Sequence, residues 1–538
     1  MKQRKAVLIA LVAFVAFLSG GWLLQRGGGA ASVYQQARLF DNVVAYVADF
    51  YVDSLSEQDI YDRAIDGLLR ELQDPYTTFL RPDDLRNLSV STTGNYGGLG
   101  IRIEIADGWI TVVAPLPETP AERVGIQSGD RIVEVDGVST HEWSMDKAVG
   151  TLRGDPGTRV RVTIVRPGVP EPLRFQVERQ QVHVKAVQFT AVLDGRVGYV
   201  QLSQVSEQSA QELEQEISAL REQGAQSLIL DLRNNPGGLL DEGIAVSDLF
   251  LDRGQVVVET KGRAPDATAS YRARTQQKWP GMPIAVLVNG SSASASEIIA
   301  GALQDHDRAL ILGTQTFGKG LVQTVYQMGP AQALKLTTGR WYTPSGRVLE
   351  RPRGEQGAAF ADLDEAPRSA DSVPLDSLPT FRTDAGRVVY GGGGIRPDRV
   401  VRSDTLSSLE QQFGRALGSN IPAYRDVIST YALDLKGRNA IREPTFEVGR
   451  EMLTEFRRRL SERGVTVADS LWTGARAFIA RQLEYEITRY VFGRPAEIRR
   501  QLLHDTQTAA AAALLRRADS PRALFSLAAE EPVPAGRN

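Results

Sequence analysis

The segment from Val182 to about Thr343 most constrains the fold, because short apolar runs alternate in it with helical periodicity. Ser227–Leu232 and Ile284–Val288 have the length and composition of buried strands, and each is followed by a polar loop and a helix-like stretch. Buried strands that alternate with helices predict an α/β domain with a mostly parallel sheet. Because such sheets bind ligands at the carboxyl ends of their strands, a functional site is expected in the loops that follow.

One of these loops is rich in serine. Asn289–Glu297 joins a predicted strand to a predicted helix, and Ser294 falls at the start of that helix. A serine oxygen there lies near unpaired N–H groups and the positive end of the helix macrodipole, which favours a developing oxyanion. The same residues also fit a structural explanation, because Ser294 and Glu297 form a capping-box pattern.

The loop after the next strand, Thr316–Gln323, holds one lysine among glycines and apolar residues. Lys319 can act as a general base only when it is neutral. Desolvation would lower its pKa, and Gln323 could orient its amine by hydrogen bonding. A solvated surface lysine is the simpler alternative, and a nucleotide-phosphate loop is disfavoured because the Walker A spacing is absent.

A serine, histidine and aspartate triad is the rival chemistry. The chain has four histidines and no Gly-x-Ser-x-Gly elbow. His306, which follows the helix after Ser294, is the best-placed candidate, but we interpret it as a helix C-terminal residue because a cation is favoured there. No cluster of histidine and carboxylate side chains predicts a metal site, and no cofactor is expected.

A β-rich domain is predicted from Asn95 to about Glu178, with glycine turns and a helix near Ser144–Leu152. The stretch Tyr96–Ile101 places three glycines before a strand, where successive N–H groups can hold a peptide carboxylate while the strand pairs with the peptide. A tight turn alone would also explain these glycines. The run Gly125–Gly137, however, follows at the distance seen in PDZ domains.

Several motifs in one order resemble the C-terminal processing peptidases, or tail-specific proteases, over roughly Phe40 to Val401. The motifs are Asp74-Pro75-Tyr76, the PDZ domain, Leu230–Gly238, Ser292–Glu297, Phe317–Gly320 and Tyr342–Arg347. The resemblance implies a peptidase with Ser294 as nucleophile, Lys319 as general base and Gln323 beside it. It also implies an α/β core like that of crotonase and Clp protease. The implied oxyanion hole is formed by Ala295 with Gly237 or Gly238, and the implied site for the substrate C-terminus by Gly97, Gly98, Leu99, Gly100 and Ile101.

The N-terminal segment predicts where in the cell the protein is located. Three basic residues precede the uncharged apolar run Ala6–Leu24, which is typical of a signal sequence or a membrane anchor with the remaining chain exported across a bacterial inner membrane. Small residues at Gly29–Ala31 would allow cleavage, so anchor and cleaved peptide both stay open. The chain has no cysteine, which excludes a lipoprotein and disulfides, and its net charge of -3 argues against nucleic-acid binding.

These patterns together predict a multidomain α/β protein that acts on exported proteins with free, apolar C-termini. A noncatalytic PDZ scaffold and a protease gated by its PDZ domain are the alternatives. The C-terminal helices could bind an adaptor protein or form a homo-oligomer, and they could also be a stabilising extension. The predicted regions are 1–31 (signal or anchor), 32–90 (helices), 91–180 (PDZ), 181–350 with 390–403 (peptidase core), 351–389 (polar insert) and 404–538 (helical extension).

Overall fold

A computed structural model describes residues 34–351 and 378–530, except the side chain of Asp266. The chain divides into two compact units. The first contains the residues up to Leu85 together with Gln323–Thr337, and the second contains the rest. The predicted membrane segment and most of the predicted polar insert lie outside the described residues. Among the residues that are described, no helix is both long and apolar enough to cross a bilayer.

The first unit starts with two helices, as the helical prediction for residues 32–90 requires. The second of them begins at a capping box, in which the Asp59 N–H donates to the Ser56 hydroxyl (3.1 Å) and the Ser56 N–H donates to the Asp59 carboxylate (3.4 Å). The first strand pairs antiparallel with residues 333–335. The elements are α1 (34–50), α2 (Glu57–Glu71), β1 (Thr78–Leu80) and, continuing into the second unit, α3 (Pro82–Thr93).

The polar composition of the stretch from Tyr76 to about Thr93 predicts a linker, and this prediction is wrong, because the stretch forms β1 and α3. The Asp74 carboxylate accepts the Tyr76 N–H (3.1 Å) and turns the chain into β1. Pro82 then occupies the first position of α3, and the Asp84 carboxylate accepts the Arg81 N–H (3.2 Å). No residue of α3 is buried, so the helix leaves no apolar periodicity in the sequence.

The predicted β-rich domain is an antiparallel sheet with strand order β3-β4-β5-β7-β8 and β6 beside β5. Ile110, Ile132 and Ile164 are fully buried in its core. A separate pair, β2 and β9, carries the chain into and out of the domain. The bounds are β2 (Asn95–Gly98), β3 (Ile101–Ala106), β4 (Trp109–Pro115), α4 (Pro120–Arg123), β5 (Arg131–Val135), β6 (Val138–Ser139), α5 (Met145–Leu152), β7 (Arg159–Val165), β8 (Leu173–Glu178) and β9 (Gln180–His183).

The predicted α/β core is confirmed. Its sheet has the order β10-β11-β12-β15-β16-β21, in which only the first pair is antiparallel. The bounds are β10 (Val187–Leu193), β11 (Val197–Leu202), α6 (Ser209–Glu222), β12 (Ser227–Asp231), α7 (Leu240–Asp248), β13 (Val256–Gly262), β14 (Ala269–Arg272), β15 (Ile284–Val288), α8 (Ala295–Asp305), β16 (Leu310–Gly313), β17 (Leu321–Gly329), β18 (Gln332–Tyr342), β19 (Thr380–Arg382), β20 (Val388–Tyr390) and β21 (Arg399–Val400).

The chain returns to the core after the insert, as the sequence predicts at Gly391–Pro397. Ile395 is fully buried, and the Gly394 N–H donates to the Leu349 carbonyl (2.9 Å). The described end of the insert contains β19 and β20, which pair as an antiparallel hairpin. The strand β21 then closes the sheet beside β16.

The C-terminal region is helical, as predicted, and packs in two places. Its first helices enclose their own core around Phe456, Ile479 and Leu483. Its last two helices cover the face of the parallel sheet opposite α7 and α8, where Leu515 and Leu524 pack with the sheet residues. The bounds are α9 (Ser408–Leu417), α10 (Ile421–Gly437), α11 (Arg450–Glu462), α12 (Asp469–Gly474), α13 (Arg476–Phe492), α14 (Arg494–Leu502), α15 (Thr506–Arg517) and α16 (Pro521–Glu530).

The same helical region also contacts the β-rich domain. Glu104 on β3 accepts a hydrogen bond from the Tyr490 hydroxyl and pairs with Arg489 (3.2 Å). At the next turn, the Asp107 carboxylate pairs with Arg463 (2.8 Å), and the Asp107 N–H donates to Asp426 (2.8 Å). The helices therefore contact both the β-rich domain and the core sheet.

Candidate active site

The loops after β12 and β15 lie side by side at the carboxyl ends of the parallel strands. Asn289 joins them, because its Oδ1 accepts the Asn234 N–H (3.0 Å) and its Nδ2 donates to Asn234 Oδ1 (2.9 Å). The Ala293 N–H donates to the Asn235 carbonyl (3.0 Å), and Asn235 Nδ2 donates to the Leu202 carbonyl (2.7 Å). These bonds hold the backbones of both loops in one arrangement.

Ser294 stands where the second of these loops enters α8. Its φ of 53° and ψ of -117° are unusual for a residue with a side chain. Such a conformation costs about 1–3 kcal/mol and persists only where the surroundings impose it. The side chain is half-buried and lies at the N-terminus of α8, where unpaired N–H groups favour negative charge.

Glu297 lies on the first turn of α8 and is fully buried. Its Oε2 accepts the N–H groups of Ser294 and Lys319, both at 2.9 Å. Its Oε1 accepts the Thr316 hydroxyl (2.5 Å) and the Gly318 N–H (2.7 Å). Burial raises the pKa of Glu297, although these four donors oppose the rise. One carboxylate thus connects the backbone of Ser294 to the loop that carries Lys319.

Lys319 is half-buried in the loop after β16. Its N–H bonds to Glu297, and its carbonyl accepts the Trp341 indole N–H (3.0 Å). The backbone of the predicted base is therefore fixed on both sides. Gln323, the third predicted residue, belongs to the first unit, where its Nε2 donates to the Tyr76 carbonyl (2.9 Å).

The two predicted oxyanion glycines differ in their surroundings. A Cβ on Gly237 would lie 2.7 Å from the Ala295 nitrogen, so only glycine allows this approach. The Gly237 N–H donates to Asn235 Oδ1 (2.9 Å). Gly238, with φ of 151°, packs against the Val205 carbonyl, which a Cβ would meet at 1.9 Å. Within the described chain, the N–H groups of Gly238 and Ala295 have no protein acceptor.

Known proteins share these regions. Residues 196–355 match the profile of peptidase family S41, and residues 111–166 match that of a PDZ domain. The chain is 39% identical over 323 residues to a carboxy-terminal-processing protease of Bartonella bacilliformis, covering 59% of this chain and 74% of that protein. It belongs to the carboxy-terminal-processing protease family. The CtpA protease of this family from Bacillus subtilis is 31% identical over 390 residues, or 71% of this chain and 82% of that protein.

Among solved structures, the photosystem II D1 C-terminal processing protease is 33% identical to this chain. The match covers 58% of this chain and 83% of that protease, with a TM-score of 0.34. The assignment rests on the sequence relatives and the family profiles. This carboxy-terminal-processing protease is a serine-type peptidase with an S41 core, a PDZ domain and a helical C-terminal region. The family, the fold class and the enzyme class predicted from the sequence are confirmed.

In this protease the predicted carboxylate-binding residues lie where the chain enters the PDZ domain, in β2, in the turn after it and, for Ile101, at the start of β3. Gly97 and Gly98 lie in β2, where Gly97 packs so closely on Gly154 that a Cβ would lie 2.2 Å from its carbonyl. Leu99 is buried, and Gly100 has φ of 77°. A Cβ on Gly100 would lie 2.3 Å from the Thr119 side chain, so glycine is required there.

His306 takes no part in a triad with Ser294. It caps the C-terminus of α8, as predicted. Its two ring nitrogens bond to the Asp384 carboxylate and to the Val256 carbonyl, each at 2.7 Å. Both ring nitrogens therefore bond to groups other than Ser294.

A buried ion pair at the other end of α8 was not identified from the sequence. Asp305 pairs with Arg347, and both side chains are buried. The Ser345 N–H also donates to Asp305 (2.9 Å), and Arg347 Nη1 donates to Gln304 Oε1 (2.9 Å). The signal for this pair was an arginine without an assigned role in the Tyr342–Arg347 motif. It fixes the end of the helix that begins at Ser294.

Proposed function

We propose that this protease is an endopeptidase with a Ser294–Lys319 dyad, that its PDZ domain binds the C-termini of its substrates, and that these substrates are exported proteins. The observation that carries the dyad is the carboxylate of Glu297, which accepts the N–H groups of both Ser294 and Lys319 at 2.9 Å. Two residues distant in the sequence thus share one anchor. Structural capping of α8 requires only the bond to Ser294.

In the proposed mechanism, Lys319 enters the reaction as a neutral amine. Its Nζ takes the hydroxyl proton of Ser294 while Oγ attacks the peptide carbonyl carbon. The tetrahedral intermediate collapses as Lys319 returns that proton to the leaving amine, which releases one product and leaves an acyl ester on Ser294. Water, deprotonated by the same amine, then hydrolyses the ester and regenerates the serine.

The oxyanion hole is assigned to the N–H groups of Ala295 and Gly238. The contacts around the first loop favour Gly238 over Gly237, because the Gly237 N–H already donates to Asn235 Oδ1 (2.9 Å). The Gly237 backbone instead brings its loop against Ala295. Two N–H groups with no acceptor in the described part of the chain are the donors that an oxyanion requires.

The substrate C-terminus is assigned to the turn formed by Leu99, Gly100 and Ile101, with Gly97 and Gly98 shaping the approach. The turn is anchored on its carbonyl side, because the Leu99 and Gly100 carbonyls accept the N–H groups of Ala121 (2.9 Å) and Leu116 (2.8 Å). An extended peptide would add to β3 by main-chain hydrogen bonds, and apolar contacts would select its last side chain.

The proposal that the substrates are exported proteins rests on the apolar segment 6–24 and its basic flank, which are typical of a signal sequence or membrane anchor.

The test compares the purified full chain with Ser294→Ala and Lys319→Ala variants. The substrate is an unstructured protein with an apolar C-terminus, and its C-terminally amidated form is the matched control. We expect both variants to lose cleavage and amidation to raise KM. Cleavage that survives in Ser294→Ala would overturn the nucleophile. If wild type cleaves neither substrate but binds the free C-terminus, the scaffold alternative is favoured.

A further inference from the structure

Arg233 lies directly before the proposed oxyanion loop and is held by partners from two distant parts of the chain. On one side, its Nε and Nη2 donate to the Asp231 carboxylate (2.9 and 2.6 Å) at the end of β12. The Asp231 carboxylate also accepts the Tyr199 hydroxyl (2.6 Å) from the neighbouring strand. This side of the network belongs to the peptidase sheet itself.

The other side of the network comes from α15, near the C-terminus. Asp505 caps this helix by accepting the N–H groups of Gln507 (3.0 Å) and Thr508 (3.2 Å). Its second oxygen pairs with Arg233 Nη2 (2.6 Å), and Gln507 Oε1 accepts Arg233 Nη1 (2.9 Å). The Thr508 hydroxyl accepts a further bond from Arg233 Nη2 (3.4 Å). All three nitrogens of the guanidinium therefore have acceptors, and three of these acceptors come from the start of α15 and its cap residue Asp505.

The network around Arg233 is buried and lies directly before the loop 234–238. Arg233 and Asp231 are mostly buried, with side-chain exposures of 15% and 2%. An ion pair so far removed from water holds its members in fixed positions, since breaking one contact leaves a buried charge. The backbone of Arg233 continues at once into Asn234, Asn235 and the glycines whose N–H groups are assigned to the oxyanion.

We propose that Asp505 is a positioning residue for the peptidase: through Arg233 it fixes the loop 234–238, so that the C-terminal helix α15 completes the oxyanion site. This inference rests on the proposed function. It differs from a purely stabilising role of α15, because it predicts a loss of transition-state stabilisation that exceeds any loss of folding. The contact between Asp505 and Arg233 would then link the helical region to the stability of the oxyanion.

The test measures kcat, KM and the midpoint of thermal unfolding for Asp505→Asn, Asp505→Glu and Leu515→Ala. Asparagine retains the helix cap but removes the charge that faces Arg233. We expect Asp505→Asn to lower kcat by about tenfold to a hundredfold with unchanged KM, since a displacement of about 1 Å costs that much. Asp505→Glu keeps the charge and should recover part of the loss. Leu515→Ala, buried on the same helix, should lower the midpoint but leave kcat unchanged.

A peptide aldehyde of the substrate sequence provides a second readout, because its adduct with the serine is tetrahedral. Asp505→Asn should weaken aldehyde inhibition but leave binding of a free C-terminal peptide unchanged. Arg233→Lys should behave in the same way, because a lysine amine cannot bond to Asp231, Asp505 and Gln507 at once as the guanidinium does. This variant replaces Asp505→Asn if Asp505→Asn does not fold. Wild-type kcat in Asp505→Asn or in Arg233→Lys would overturn the proposal. It would also be overturned if Leu515→Ala lost as much kcat as Asp505→Asn for the same fall in unfolding midpoint. Failure of the proposed function would appear separately, as activity in Ser294→Ala.

Discussion

Glu297 is the residue on which the arrangement of Ser294 and Lys319 most directly depends. Its two oxygens accept four donors, so it must be ionised to satisfy them all. Glu297→Gln replaces one oxygen by an amide that can only donate. We expect kcat to fall about a hundredfold, as for loss of an oxyanion donor, with little change in KM. Steady-state kinetics on the unstructured substrate would measure this.

The control for Glu297 is Glu410, which forms the equivalent capping box of α9. There the Ser407 N–H donates to the Glu410 carboxylate (2.7 Å), far in the sequence from the loops that carry Ser294 and Lys319. Glu410→Gln should therefore retain wild-type kcat. An equal loss in both variants would show that helix capping, and not the link to Lys319, is what matters.

Asp505 also predicts a pH dependence of stability. Burial opposes its charge, but Arg233 and the bonds from Thr508 hold the pKa of Asp505 below its ordinary value. Its contribution to stability is therefore complete above the unfolded pKa of about 3.9 and is lost as the pH falls through the lower folded pKa. The difference in unfolding midpoint between wild type and Asp505→Asn should be constant near neutral pH and shrink below pH of about 4. A difference that grows in acid would contradict this assignment.

At the scale of elements, the helix α13 supports β3 of the PDZ domain. The contact is made by the Tyr490 hydroxyl and the Arg489 guanidinium on Glu104, whose pKa is raised by burial despite that arginine. Tyr490→Phe removes a bond to a charged group, worth about 1.5–3 kcal/mol. We expect the amides of β3 to exchange with deuterium faster than in wild type.

Tyr431→Phe is the control for this exchange experiment. Its ring stacks on Phe456 inside the helical region (6.4 Å between ring centroids), and phenylalanine keeps that contact. We expect exchange in β3 to stay at the wild-type rate. Unchanged exchange in Tyr490→Phe as well would mean that α13 does not support the strand.

At the scale of the whole molecule, the last two helices of the C-terminal region pack on the peptidase core. These helices cover the sheet face that contains Ile229, Leu287 and Leu312. Removal of residues 404–538 would expose this apolar face, and we expect the truncated protein to be insoluble. Leu503→Ser, at a side chain that is 79% exposed, should remain soluble. Sedimentation after expression distinguishes the two, and a soluble, folded truncation would show that the core sheet does not need these helices.

Local patterns in the sequence were sufficient for most elements of the core and for the location of Ser294. Strand-length apolar runs and helical periodicity depend on neighbours in the chain, so β12, β15 and α8 could be predicted with their loops. The helix α3 could not, because none of its side chains is buried and its start depends on hydrogen bonds at Arg81. The link from Glu297 to Lys319 also stayed hidden, because the capping box alone explained the glutamate.

The sequence by itself determined the family, the order of the domains and the position of Ser294 at a strand-to-helix junction, because motif order and periodicity are properties of the chain. Only the tertiary structure decided which groups share the Glu297 carboxylate, which glycine N–H lacks an acceptor among the described residues, and that Asp505 at the start of α15 pairs with Arg233. These contacts join residues that are far apart in the sequence. Burial and hydrogen bonding select such partners in space, and no local pattern records them.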